Sequence, residues 1–143
     1  MGVGVTLGLV AAATWATALS VYDVLHQRLP NALTLPGAAV VLGVATVAGR
    51  GAAALLGAFA LAALYLVVHL VAPTSMGAGD VKLAIGLGGL TGAFGADAWV
   101  LAAVAAPVLT ALAGVVVLRA RGTVPHGPSM CVAALGAVAL VAL

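Results

Sequence analysis

No charged side chain occurs between Met1 and Tyr22, and uncharged runs of similar length recur at 51–68, 98–118 and 127–143. A helix that crosses a bilayer core needs about 20 largely apolar residues, and these runs have that length. The 143 residues include five Lys or Arg and three Asp, with 65% of the chain hydrophobic. Soluble domains usually carry roughly 25% charged residues, so a soluble fold of this composition could not cover its own surface. A soluble enzyme and a disordered tail are excluded. A nucleic-acid binder is excluded too, because the net charge is only +2 and no basic patch exists. The chain reads as an all-α integral membrane protein.

Charge, Pro and Gly punctuate the chain into spans at 3–24, 32–49, 51–72, 80–96, 98–118 and 127–143, which predicts a compact bundle of about six transmembrane helices. Breaks are expected at 26–31, at Gly49-Arg50-Gly51, at Pro73-Thr74-Ser75, near Asp97, and at 119–128. With connections this short, residues 1–143 are expected to form one membrane domain. The apolar start lacks a basic n-region and more membrane follows it, so it reads as an uncleaved first span although Ala16-Thr17-Ala18 imitates a cleavage site. The fourth span is short and rich in glycine. Its Gly88 and Gly92 are four apart, a spacing that lets a neighbouring backbone approach. The single cysteine, Cys131, provides neither a disulfide framework nor a cysteine zinc site. His26, His69 and His126 show no metal-ligand spacing, and no metal or cofactor is expected.

Positive charge sets the expected orientation. The loops after spans 1, 3 and 5 carry Arg28, Lys82, Arg119 and Arg121, whereas the opposite side has Arg50 alone. The first set is therefore expected in the cytoplasm, with both termini outside. Asp23 then ends span 1 and Asp80 begins span 4 on the same membrane face. A carboxylate at the bilayer centre costs roughly 2.5 to 3.5 kcal/mol, and less near the interface. Two such acids held together share a proton, so that one can activate water as a base while the other protonates a peptide carbonyl. Other roles fit the same residues. Asp80 is suited to capping span 4, and Asp23 to anchoring span 1 or pairing with Arg28. Lys82 lies off the helical face of Asp80 and reads as a topology anchor, and His69 reads as a hydrogen-bonded packing residue.

The local strings narrow these alternatives. Asp23-Val-Leu-His-Gln-Arg-Leu-Pro30-Asn31-Ala-Leu-Thr34 and Gly77-Ala-Gly79-Asp80-Val-Lys82-Leu83 resemble the two signature segments of the type IV prepilin peptidases. In that family an Asp stands seven residues before a Pro-Asn or Pro-Asp turn followed by Leu-Thr, and a Gly-x-Gly-Asp-x-Lys-Leu stretch comes later. Val124-Pro125-His126-Gly127-Pro128 is similar to the family's Pro-aromatic-Gly-Pro entry to the last span, with His126 where an aromatic is usual.

The resemblance implies an aspartic endopeptidase, GxGD in type, that removes the short basic leader of pilin-like precursors at the cytoplasmic face of the bacterial inner membrane. It makes Asp23 and Asp80 the catalytic dyad, with Gly77 and Gly79 freeing backbone for a substrate. Pro30 and Asn31 would shape the turn and cap span 2. The expected partners are a prepilin-like substrate and the lipid bilayer. Longer family members add a domain with two Cys-x-x-Cys pairs and methylate the new N-terminus. Cys131 alone implies the short, peptidase-only form associated with Flp-type pili and secretion. Two other readings compete: a presenilin-like GxGD protease, whose Pro-Ala-Leu segment is missing here, and a non-enzymatic transporter or assembly subunit using both Asp as an ion or proton site.

Overall fold

The computed structural model describes residues 2–119 and 124–143. The described residues form six helices: α1 (Val3–His26), α2 (Asn31–Val47), α3 (Gly51–Val71), α4 (Ala78–Phe94), α5 (Ala96–Arg119) and α6 (Gly127–Ala142). Each coincides with one expected span to within a few residues, because the chain breaks where its backbone chemistry demands. Gln27 ends α1 in the left-handed region at φ 51°, and Pro30 precedes α2 in extended conformation. Gly49 turns the chain at φ 76° and Gly95 at φ 120°, values that glycine adopts without steric cost. The break after α4 is thus at Gly95. Asp97, expected in that break, is instead in the first turn of α5, where a negative charge complements the helix N-terminus. Arg121, part of the expected charge bias, lies outside the described residues.

Among the described residues, only α1, α3 and α5 are both long and apolar enough to cross a membrane by length and composition, which corrects the expectation of six such spans. Helices α2 and α4 have 17 residues each and α6 has 16. At about 1.5 Å per residue they extend about 24–26 Å, less than a hydrocarbon core of about 30 Å. The shortening follows from the breakers that bound them: Pro30 and Gly49 around α2, Gly77 and Gly95 around α4.

Helix α4 runs through the centre of the bundle, packed against α2, α3, α5 and α6, and its residues from Gly86 to Gly92 are all buried. This position explains the glycine content that makes α4 the least apolar of the spans. Its closest neighbour is α3. A Cβ built on Gly57 would lie 2.3 Å from the Gly88 carbonyl oxygen, and one on Gly92 2.7 Å from that of Ala53, so side chains on this seam would drive the helices apart. Trp99 of α5 seals the seam by donating from Nε1 to Gly57 O at 3.0 Å. On the other side, the Trp15 ring fills the space that Gly37 of α2 and Gly86 of α4 leave open, and its Nε1 donates to Leu33 O at 2.8 Å.

Leu19, Leu61, Leu83, Leu87 and Val138 are buried, while Leu7, Val44, Phe59, Leu112 and Leu140 face outward. An apolar exterior around a small-residue interior is what a lipid-facing bundle requires, since lipid provides no hydrophobic drive between helices and close packing must replace it. Gly2, Val5, Arg50, Phe94, Val141 and Ala142 line one cavity, so both ends of the chain gather with the α2–α3 turn. Asp23 is at the other end of α1, about 30 Å away along a helix.

Candidate active site

The end of the bundle away from the chain termini collects the last turns of α1 and α3 and the first turns of α2, α4 and α6. Asp23, in the last turn of α1, is 5% exposed. Its Oδ2 accepts the backbone N–H of Gly127 at 3.0 Å. Gly127 opens α6, where N–H groups have no intrahelical acceptor and favour a negative neighbour. A Cβ at 127 would stand 2.5 Å from that same oxygen. The glycine is therefore needed for the approach itself. Arg28, the other partner considered for Asp23, is exposed.

Asp80 is the third residue of α4, three after the N-cap Gly77, and its Oδ2 accepts the Gly77 N–H at 3.2 Å. This is the reciprocal half of a capping box. The other half is missing, because glycine has no side chain with which to cap. The carboxyl group is half-buried and keeps oxygen lone pairs free of this contact. Asp80 lies within electrostatic range of Asp23. Both also act on the Cys131 thiol, which is buried beside Ser20.

The two signature segments are fastened to each other. Lys82 Nζ donates to Asn31 Oδ1 at 2.7 Å, from the second turn of α4 to the first residue of α2. The cap of α2 is Pro30, with no side-chain hydrogen bond. Asn31 is thus not the cap that sequence suggests, because its amide is engaged by Lys82. Leu29 packs over Gly79, where a Cβ would come within 3.1 Å of the leucine Cβ. The close approach at Gly79 is made by the chain itself, whereas Gly77 has no neighbour nearer than 3.5 Å to a built Cβ.

Residues that sequence did not single out complete this end. Tyr65 of α3 is buried, and its hydroxyl is 3.1 Å from His126 Nε2. Thr110 of α5 hydrogen-bonds His126 Nδ1. The one available signal was a hydroxyl group inside an apolar run, Tyr65 in the second half of α3 and Thr110 in the second half of α5. His69 bonds the Met76 carbonyl and closes the α3–α4 loop, a packing role in keeping with its sequence context. His26 stacks on Tyr22 at the exposed end of α1. Among the described residues no three His, Cys, Asp or Glu side chains gather as metal ligands would. The chemistry within reach is that of two neighbouring carboxyl groups, each steadied by one backbone amide, which suits proton exchange with a substrate or water.

A family model for type IV leader peptidases matches residues 10–118, a stretch that holds α1 to α5 almost entire and includes both Asp23 and Asp80. No curated protein and no solved structure matches the chain. The match covers most of the sequence, and the chain belongs to the type IV leader peptidase family.

Proposed function

We propose that this chain is an aspartic prepilin peptidase in which Asp23 and Asp80 act as one proton-sharing dyad. What supports the reading is that both lie at the same end of the bundle, Asp80 within electrostatic range of Asp23, each with one carboxyl oxygen held by a backbone N–H. One carboxylate takes a proton from water as the water oxygen attacks the scissile carbonyl carbon. The other, protonated, gives its proton to the carbonyl oxygen. Collapse of the tetrahedral intermediate breaks the C–N bond, and a proton passes to the leaving amine. Gly77 leaves open space beside Asp80 for an extended substrate backbone. Lys82, Asn31, Pro30 and Gly79 hold the two segments in register.

The substrate is a membrane-anchored precursor of the type IV or Flp kind, cut after its short basic leader at the cytoplasmic face. Orientation is argued from Arg28 and Lys82 at the dyad end, against Arg50 at the other. All six helices are embedded in lipid. The short ones run between the same two bundle ends as the long ones, which a locally thinned bilayer accommodates at a modest cost.

The test is leader removal from a co-expressed Flp-type prepilin, normalised to membrane-inserted peptidase. Asp23→Asn and Asp80→Asn should each lower processing by at least about a hundredfold. The double variant should lose no more than either single one, because removing either member leaves no acid–base pair. Substantial processing by either Asn variant would refute the dyad. Loss of insertion in both would favour capping and anchoring as their roles.

A further inference from the structure

His126 is the residue on which α6 begins and on which α3 and α5 converge. Each ring nitrogen has its own partner: Nε2 faces the Tyr65 hydroxyl at 3.1 Å, and Nδ1 faces Thr110 Oγ1. The tautomer follows from proton counting. Thr110 already donates its one hydroxyl proton to the Ala106 carbonyl at 3.0 Å, so its oxygen accepts from Nδ1–H. Nε2 is then the acceptor and takes the Tyr65 O–H. The next residue is Gly127, whose N–H reaches Asp23 Oδ2 and whose Cα leaves no room for a methyl group against that carboxyl. Little displacement of the first turn of α6 is tolerated before this hydrogen bond is lost.

We propose that His126, held between Tyr65 and Thr110, is a positioning residue for leader cleavage, keeping the Gly127 N–H on Asp23 and doing so only as the neutral imidazole. The inference rests on the reading of Asp23 as a dyad member. Adding a proton to Nε2 would turn it toward the Tyr65 hydroxyl as a second donor, and the phenol proton would have to find another acceptor within an apolar setting. Burial favours the same neutral form, holding the imidazole below its ordinary pKa. The titratable groups around it are Tyr65 from α3, Asp23 from α1 across the Gly127 amide, Asp80 from α4 through its field at Tyr65, and Cys131 on α6 itself. Thr110, from α5, does not ionise.

The experiment uses the full chain in lipid vesicles with a Flp-type prepilin as probe, following kcat and KM from about pH 5 to pH 8. His126→Phe restores the aromatic usual in the family but removes both hydrogen bonds. It should lower kcat at about pH 7.5 by about tenfold or more and leave KM within about twofold. His126→Gln retains a donor and an acceptor without titrating. It should keep kcat at that pH within about threefold of wild type and lose the part of the acid-side decline that belongs to the imidazole. A His126→Phe enzyme with wild-type kcat and pH profile would overturn the proposal, as would an unchanged acid-side decline in His126→Gln. If His126→Phe does not accumulate in the membrane, the His126→Gln profile alone decides. Asp23→Asn, run alongside, separates the two readings. Activity there sinks the dyad, whereas its loss beside a wild-type-like His126→Phe sinks only the role given to His126.

Discussion

Gly127 serves Asp23 twice, by donating its N–H to Oδ2 and by lacking the Cβ that would stand 2.5 Å from that oxygen. Burying a carboxylate near a bilayer is costly unless its oxygens are hydrogen-bonded, so the two properties act together. Gly127→Ala forces either the Asp23 carboxyl or the start of α6 to move. Leader removal should fall by at least about tenfold, the scale expected when a hydrogen bond to a charged group is lost. Gly136→Ala, on the same helix with nothing within 4 Å of a built Cβ, is the matched control and should process within about twofold of wild type. Equal activity of the two variants in the prepilin assay would remove Gly127 from the site. Asp23 and Asp80 themselves were legible in the chain because an acid in so apolar a sequence is costly and the strings around both are distinctive. The Gly127 amide was not legible, since a backbone donor leaves no mark in residue type.

At the scale of elements, the seam between α3 and α4 carries the bundle. Gly57, Gly88 and Gly92 allow backbone-to-backbone contact, which multiplies dispersion contacts where lipid offers no hydrophobic gain. Gly57→Ala would place a methyl group 2.3 Å from the Gly88 carbonyl oxygen, and neither backbone can yield without opening the seam. It should destabilise by about 1–3 kcal/mol, the usual cost of overpacking, seen as a lower thermal midpoint in detergent. Gly8→Ala and Gly43→Ala, in α1 and α2 with open space around a built Cβ, should be neutral or gain a few tenths to about 1 kcal/mol from helix propensity. Equal midpoints for Gly57→Ala and Gly8→Ala would show that the seam does not bear load. The glycine spacing announced such a face, but the partner it meets is a property of α3. Trp15 makes the same point. Its ring is housed by one glycine from each of two helices, a fit that no local pattern encodes.

Over the described residues the helices alternate in direction, so the two candidate carboxylates, Asp23 and Asp80, lie at the end of the bundle opposite the chain termini. The cavity shared by Gly2, Arg50, Phe94 and Ala142 is the far end, where Arg50 donates to Ala93 O at 3.2 Å and lies over the Phe94 ring at 5.6 Å. Reporter fusions after Gln27 and Ser75 should register as cytoplasmic, and fusions at Gly49 and at the C-terminus as external. A cytoplasmic C-terminus would reverse the orientation or remove one of the short helices from the membrane, and would separate the dyad from a leader presented on the cytoplasmic side. The fusion at Gly49 tests α2, whose 17 residues are fewer than a typical span needs.

The order and extent of the helices were determined by sequence alone, because each follows from local terms: apolar transfer within a run, and the backbone limits of Pro30, Gly49 and Gly95 at its ends. The candidate carboxylates were also chain-local, since Asp23 and Asp80 lie within short strings whose spacing survives any packing. Tertiary structure alone decided that α4 is the central helix, that Lys82 holds Asn31, and that His126, Tyr65 and Thr110 meet beside the Gly127 amide. Those contacts join residues distant along the chain, and their free energy depends on which helix faces bury against one another. In a chain so uniformly apolar many faces are nearly equivalent by composition, so shape complementarity at glycines and the need to satisfy a few buried polar groups make the choice.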